Sequence, residues 1–184
     1  MKTSLLLAGL AVTLAGLAHA ASPAAQNSSA AQAQGRGAAR GAAAAPAAPA
    51  APPPGSPGTY KVDADLMAVL KKATEAAPDM STSAVANTDQ YRINIVRRGK
   101  GAGAIAHPGN TEVHYIIDGS ATFVTGGTIV RPTSPGAVAE IQGGVSRHVS
   151  KGDVVVIPEN SPHWYKDVDG SITYLEVRFV APSK

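Results

Sequence analysis

The stretch of sequence that decides the fold is residues 99–119, GKGAGAIAHPGNTEVHYIIDG, in which His107 and Glu112 stand between two glycines. A second stretch, residues 152–167, reads GDVVVIPENSPHWYKD and has a proline turn between a valine-rich run and His163. Val, Ile and Tyr favour strands, whereas Gly, Pro and Asn favour tight turns. Both stretches therefore predict short strands that carry groups able to bind a metal.

The spacing within the two stretches resembles the paired signature of the cupin superfamily. That signature runs G-x5-H-x-H-x(3,4)-E-x6-G and then G-x5-P-x-G-x2-H-x3-N. This chain departs from it at Ile105, which replaces the first histidine, at Asn160, which replaces a glycine, and at Asp167, which replaces the final asparagine. The resemblance covers roughly residues 90–180. It implies an all-β fold, a small jelly-roll barrel.

The resemblance also implies one divalent metal in the barrel, with His107, Glu112 and His163 as its ligands. If His107 faces the lumen, Glu112 opposes it from the returning strand, because strand residues alternate faces. Two imidazoles and a carboxylate with open positions suit Fe(II), and Mn, Ni, Cu or Zn are the alternatives. The chain has no cysteine, which excludes thiolate ligands and disulfides.

His114 is the candidate catalytic residue. It lies two positions after Glu112 and is expected on the same face of the strand. It can act as the general base, or it can supply the imidazole that the family has at position 105. Packing without a chemical role is the third alternative, and the sequence leaves all three open.

Several other residues complete the expected lumen and surface. Tyr165, Tyr174 and Arg178 are candidates for the lumen, although alternation alone does not decide which face of the last strand points inward. Trp164 is expected to point outward or into a subunit contact, and a homodimer is therefore left open. His148 belongs to neither motif and is expected at the surface.

The N-terminus is predicted to be an export signal over residues 1–20. Lys2 supplies a positive charge, residues 4–17 are nearly all Leu, Ala, Val and Gly, and residues 18–20 form an A-x-A cleavage site. The apolar run is shorter than the span of about 20 residues that a membrane helix requires. We expect a periplasmic or secreted protein with no stable membrane insertion after cleavage; an uncleaved anchor is the alternative.

Residues 21–58 are dominated by Ala, Pro, Gly, Gln and Ser. A segment of this composition buries too little apolar surface to offset its ordering entropy, which predicts a disordered linker. Residues 59–184 are then the cupin domain. They are expected to begin with an amphipathic helix, residues 63–77, which has Asp63 as its N-cap and ends at Pro78.

The apolar stripe of this helix is expected to pack on the outside of the barrel, and binding of a partner is the alternative. It consists of Leu66, Val69, Leu70 and Ala73. The predicted strands that follow are 91–97, 102–107, 111–117, 121–124, 127–131, 146–149, 153–157 and 172–180. The longest connection, residues 132–145, is a candidate flap over the barrel mouth.

The formal net charge of +3 is small. Removal of Lys2 with the signal leaves 15 basic and 13 acidic residues, a net charge of +2. Nucleic-acid binding would require a clustered basic face, so no nucleic-acid partner is expected. Arg97, Arg98 and Lys100 are expected in a solvated loop.

The resemblance favours an enzyme of oxygenase or lyase type that acts on a small oxygenated molecule at a mononuclear divalent metal. The alternative is a non-catalytic exported module that binds a small molecule or a metal. A purely structural barrel is a third reading, which requires that no metal binds.

Overall fold

The structure is a computed structural model that describes residues 47–180. The predicted signal peptide, residues 1–20, and most of the predicted linker lie outside the described residues. No helix in the described part of the chain is long and apolar enough to cross a membrane.

Within residues 47–180 the chain forms one helix, α1 Asp63–Ala76, and is otherwise built from antiparallel strands. The predicted all-β jelly-roll with a preceding helix is thereby confirmed. The strands are β1 Met80–Asn87, β2 Tyr91–Arg98, β3 Asn110–Thr125, β4 Thr128–Val130, β5 Glu140–Gln142, β6 Val145–Ser150, β7 Val154–Ile157 and β8 His163–Val180.

The main sheet has the order β1-β2-β8-β3-β6, and β7 pairs with β3 as well. β3 and β8 pair along nearly their whole length, with three register shifts that fall between Ile116 and Phe123 on β3. Such bulges bend a strand pair and increase its twist. Gly119 lies in this region with φ +78°, and a Cβ there would clash with the carbonyl oxygen of Ser171. The bends allow the two long strands to curve around one core.

Helix α1 packs against β1. Leu70 is its buried residue, and the Thr74 hydroxyl lies 2.7 Å from the Ser81 hydroxyl on β1. Two expectations were wrong here. Val62 rather than Asp63 is the N-cap, without a side-chain hydrogen bond, and Val69 is exposed. Asp63 lies in the first turn instead, where its negative charge favours the positive end of the helix dipole.

The strand boundaries differ from the predictions at several places. Residues 102–107 form no named strand and make only an isolated bridge between Ile105 and His163. β1 was not predicted, and β8 begins at His163, well before residue 172. The polar segment between these two positions resembles a turn in sequence, yet its pairing with β3 makes it a strand. Tertiary pairing overrides local propensity there.

The predicted flap, residues 132–145, contains β5, which pairs with β4. Its Ala139 carbonyl accepts a hydrogen bond from the Ala104 backbone N–H at 2.7 Å. Ala139 and Ile141 pack on a small core cluster that includes Trp164. The part of the segment from Ala139 onward is therefore fixed on the described barrel, whereas residues 132–138 are exposed.

Trp164 is buried in that cluster, and its indole N–H donates to the Ala102 carbonyl. The expectation that it points outward or into a subunit contact is therefore wrong, because the segment around β5 covers it. The larger core cluster is formed by residues of the main sheet: Val96, Ile116, Ala121, Phe123, Val149, Ile157, Tyr165, Ile172 and Tyr174.

The end of the predicted linker contacts the turn between β1 and β2. The Asp89 backbone N–H donates to the Pro49 carbonyl, and the Asp89 carboxylate accepts a hydrogen bond from the Ala51 N–H, both at 2.9 Å. Residues 47–51 therefore have defined partners on the domain.

Candidate metal centre

The inner face of the sheet is polar at one end and apolar further in. Residues that are directly paired on neighbouring strands have their side chains on the same face. Residues that are paired across β2, β8 and β3 form rows on the sheet. The successive rows are Arg92–Arg178–Glu112, Asn94–Glu176–His114 and Val96–Tyr174–Ile116. The charged and hydrogen-bonding groups are thus concentrated in the first two rows.

Three potential metal donors meet beside these rows. Possible ligand atoms of His107, Glu112 and His163 all lie within 4.8 Å of one another. Bonds of about 2.0–2.2 Å place the ligands of one ion about 3–4 Å apart, so the three side chains fit a single divalent ion after small adjustments. These are the residues that the sequence motifs indicate.

Each donor is held by a different element. His107 lies in the loop before β3, Glu112 is on β3, and His163 is the first residue of β8. Glu112 and His163 are buried, whereas the His107 side chain is 26% exposed. The histidine ring centroids are 5.3 Å apart. His107 therefore marks the side of the site that faces solvent.

Glu112 is the common neighbour of the surrounding imidazoles. Its Oε1 lies 2.6 Å from His107 Nδ1 and 3.8 Å from His163 Nε2. Burial alone would raise the pKa of Glu112, but the neighbouring His107 and His114, together with His163 and Arg178, hold it well below its usual range. Glu112 is therefore an anionic donor at neutral pH.

The orientation of His163 is set by a backbone group. Its Nδ1 lies 3.1 Å from the Ser161 carbonyl oxygen, which can only accept, so Nδ1 carries the proton and donates. Burial is the main cause that lowers the pKa of His163 from 6.5 to about 4. At pH 7 its Nε2 is therefore unprotonated and directed towards Glu112, as a metal ligand must be.

His114 lies deeper, outside the set of mutually close donor atoms. The side chain is 3% exposed, and Nδ1 is 3.1 Å from the Tyr165 hydroxyl. Nε2 is 3.4 Å from Glu112 Oε2, but it lacks the alignment of a hydrogen bond and has no other partner among the described residues. His114 thus has one committed nitrogen and one buried nitrogen directed at the site.

Tyr165 can fix the tautomer of His114. Burial, the largest cause, raises the pKa of Tyr165 above its usual range, so the phenol keeps its proton. If this hydroxyl donates to Nδ1, the proton of His114 lies on Nε2; if it accepts, Nε2 is free to bind a metal. A general base and a metal ligand both require the second tautomer, in which Nε2 has a free lone pair.

Two buried charged residues, Arg98 and Glu176, were not expected in the lumen. Arg98 was expected in a solvated loop, but it is buried, with Nε donating to the Tyr174 hydroxyl at 3.0 Å and its guanidinium 5.3 Å from the Tyr165 ring centroid. The correction follows from alternation along β2, which places Arg98 on the same face as Asn94. Tyr165, Tyr174 and Arg178 lie in the lumen as expected.

His148 is exposed, as expected, and lies 3.9 Å from the Asp169 carboxylate. It also lines a separate cavity of about 440 Å³ near β6 and β7, to which none of the three metal donors contributes. The chemistry-bearing cluster and this cavity are therefore distinct features of the described domain.

The protein-family comparison agrees with this architecture. The family model described as Cupin matches residues 69–172, more than half of the 184-residue chain. The chain belongs to the cupin family. A sequence comparison with curated proteins found no match.

Solved structures with a similar fold include hydroxypropylphosphonic acid epoxidase from S. wedmorenis, with 13% identity, a TM-score of 0.44, and coverage of 55% of this chain and 51% of that one. A predicted oxalate decarboxylase from Thermotoga maritima has 15% identity, a TM-score of 0.43, and coverage of 55% and 81%. A cupin superfamily protein from Desulfitobacterium hafniense has 17% identity, a TM-score of 0.41, and coverage of 55% and 78%.

The match spans only about half of the epoxidase chain. None of the three structures indicates a reaction for this chain.

Proposed function

We propose that the protein is a mononuclear metal-dependent enzyme of oxygenase or lyase type that acts on a small oxygenated molecule. The observation that carries the proposal is the convergence of His107, Glu112 and His163, whose donor atoms lie within 4.8 Å of one another. Two neutral imidazoles and one carboxylate leave coordination positions open for water or substrate.

Glu112, His163 and His107 would each contribute differently to binding the ion. Glu112 supplies negative charge, and His163 supplies an oriented Nε2, because the Ser161 carbonyl holds its Nδ1 proton. His107 closes the set from the solvent side. A divalent ion bound there would act as a Lewis acid on substrate oxygens or as a centre for O₂ chemistry. Fe(II), Mn, Ni, Cu and Zn all suit this donor set.

The burial of most of the site supports a small substrate. Glu112, His114 and His163 are buried, and the polar side chains beside them that reach solvent do so only in part, with His107 26% and Arg178 18% exposed. A molecule with a few heavy atoms can reach such a site.

His114 is the group proposed to hold or move a proton in the site. Its Nε2 is buried without a hydrogen-bond partner among the described residues, and an unsatisfied buried polar atom is costly unless a ligand completes it. A bound substrate or water near Glu112 would supply that partner. Tyr165 would position the ring through Nδ1.

A non-catalytic exported module that binds a small molecule or a metal is the second candidate. It is favoured by the deep burial of His114 and the engagement of its Nδ1 by Tyr165, because a general base must reach the substrate. A metal-binding module would share the metal with the enzyme and would lack turnover.

The proposal includes export, which rests on residues 1–20. Lys2, the apolar run and the A-x-A site are the supporting features. The measurement is the N-terminal residue of protein recovered from the periplasm or the medium, which should be Ala21. An intact Met1 on protein from the membrane fraction would contradict export as a cleaved protein.

The test of the metal site is elemental analysis of purified protein, followed by turnover screens with the metal present. Wild type should contain about one divalent ion per chain, and His163→Ala and Glu112→Ala should lose it. His148→Ala is the matched control, because His148 is an exposed histidine outside the site. Equal trace metal in all four proteins would contradict the proposal; stoichiometric metal without turnover would favour the binding module.

A further inference from the structure

We propose that Arg178 is a carboxylate anchor beside the metal centre, and hence that the site takes a small carboxylic acid with a second oxygen next to the carboxylate. This inference rests on the proposed function, because the second oxygen is assigned to the metal. It specifies a substrate class that the metal donors alone do not define.

Arg178 lies in the same row as the metal donor Glu112. It pairs with Glu112 on β3 on one side and with Arg92 on β2 on the other. Paired residues have Cβ atoms about 4.5–5.5 Å apart on the same face of the sheet. The guanidinium therefore lies directly beside a candidate metal donor, with Nη2 3.4 Å from Glu112 Oε2.

Two carboxylates hold the guanidinium of Arg178 in position, but not all of its N–H donors have partners among the described residues. Nη2 lies 2.6 Å from Glu176 Oε1 and 3.4 Å from Glu112 Oε2, so one nitrogen serves both carboxylates. Nε is buried and has no hydrogen-bond partner among the described residues. A guanidinium can make five hydrogen bonds in a planar fork that matches a carboxylate. Arg178 is thus held in place with donor capacity left for a ligand.

The charge in the lumen also favours an anion. The carboxylates of Glu112 and Glu176 offset the guanidiniums of Arg98 and Arg178, and all four residues are buried or partly buried. A divalent ion adds two positive charges that these side chains do not offset. Uncompensated charge in a desolvated site is costly, and an anionic ligand on the ion and Arg178 would reduce that cost.

A purely structural ion pair with Glu176 is the competing explanation. It accounts for the 2.6 Å contact, but it does not account for the buried and unpaired Nε or for the side chain reaching solvent at the mouth. Arg92, the exposed neighbour in the same row, adds a second positive charge at the entrance. Positive charge beside a binding site attracts anions.

The experiment compares two probes on the Zn(II)-loaded full chain by titration calorimetry. Glycolate and glycolamide both offer a hydroxyl and a carbonyl oxygen to the metal, and only glycolate carries a charge. Wild type should prefer glycolate. Arg178→Met should keep its zinc and lose about 10- to 100-fold of that preference, the usual contribution of a charge-assisted hydrogen-bond pair.

Two further variants make the result interpretable. Arg97→Met is the matched control, because Arg97 pairs with Ser81 and lies on the opposite face of β2; its preference should equal that of wild type. Arg178→Lys keeps the positive charge near Glu176 but loses the fork. Its preference should fall by about tenfold, and it provides the test if the methionine variant does not fold.

Wild-type protein that binds no stoichiometric zinc would contradict the proposed function and this inference with it. Stoichiometric zinc with equal affinity for the two probes would overturn the anchor alone. The anchor would also be overturned if both Arg178 variants kept the wild-type preference, because the preference would then come from the metal only.

Discussion

Ile105 and His163 form an isolated antiparallel bridge in which each backbone N–H donates to the other residue's carbonyl, at 3.1 and 2.8 Å. The bridge ties the loop that carries His107 to the first residue of β8. It therefore brings together two metal donors that are far apart in sequence, and their ring centroids lie 5.3 Å apart. Position 105 is also where the cupin motif has its first histidine.

Ile105→His should add a metal ligand. Ile105 is the direct bridge partner of His163, so a histidine there would lie within side-chain reach of the same ion. We expect tighter metal binding with lower activity, because the added imidazole fills a position that substrate needs. Competition with a fluorescent chelator measures the affinity. Unchanged affinity would show that position 105 does not face the ion.

His114→Phe should leave metal binding intact, because His114 lies outside the set of mutually close donors. Turnover should be lost if His114 handles a proton. Stability should fall by about 1–3 kcal/mol, since the buried Tyr165 hydroxyl loses its partner. Metal content, activity and urea denaturation are the three measurements.

The control for that variant is Tyr165→Phe, which removes the hydroxyl but keeps the ring and His114. It should retain the metal and slow turnover less than His114→Phe does. Loss of metal in His114→Phe would instead identify His114 as a ligand, and loss of neither metal nor activity would leave it as packing.

Chelator-treated protein should lose stability as the pH falls from 6.5 towards 4. The folded-state pKa of His163 is lowered from 6.5 to about 4, so the unfolded chain binds more protons between these values and acid favours unfolding. The low pKa of Glu112 acts in the same direction, and its contribution is lost at still lower pH. One such group changes stability by up to about 1.4 kcal/mol per pH unit.

Thermal melts at closely spaced pH values measure this dependence. His163→Gln lacks the titrating imidazole, so its melting temperature should vary less between pH 6.5 and 4. An equally steep profile in the variant would show that other groups cause the acid loss.

A chain that begins at Ala47 should keep the melting temperature of the longer protein, because residues 21–46 have a composition that contributes no core. A chain that begins at Gly58 should be less stable, by at most about 1–3 kcal/mol in the free energy of unfolding. It lacks the two hydrogen bonds between residues 49–51 and Asp89. Differential scanning calorimetry compares them. A drop of many degrees for the chain starting at Ala47 would show that the earlier residues pack on the domain.

The sequence by itself determined the family, the strand-rich class and the three candidate donors. These features depend on short-range patterns. Gly and Pro set the turns, alternation sets the faces, and the spacing from His107 to Glu112 lies within a single strand-turn unit. The helix was predictable for the same reason, since Leu70 and its neighbours recur with helical period.

Only the tertiary structure decided which polar residues surround those donors. On β2, the apolar Ile93 and Ile95 alternate with Asn94, which suggests that the isoleucines face the interior. Instead, Asn94 and Arg98 face the lumen. Ile95 lies on the outer face, where it pairs with Ser83 of β1, and helix α1 packs against that strand. The alternation of polar and apolar residues along β2 could not reveal which face points inward. Apolar residues usually face the interior, but this barrel has a polar lumen and an outer face that a helix covers.

The position of Arg178 beside Glu112 likewise required the fold. The two residues are 66 positions apart and become neighbours through the register of β3 and β8. The pairing is continuous from Asn110–Val180 to Ile116–Tyr174, between strands that are far apart in the sequence. Local patterns in the sequence reach only a few residues, so the candidate metal donors were predictable and the position of Arg178 beside them was not.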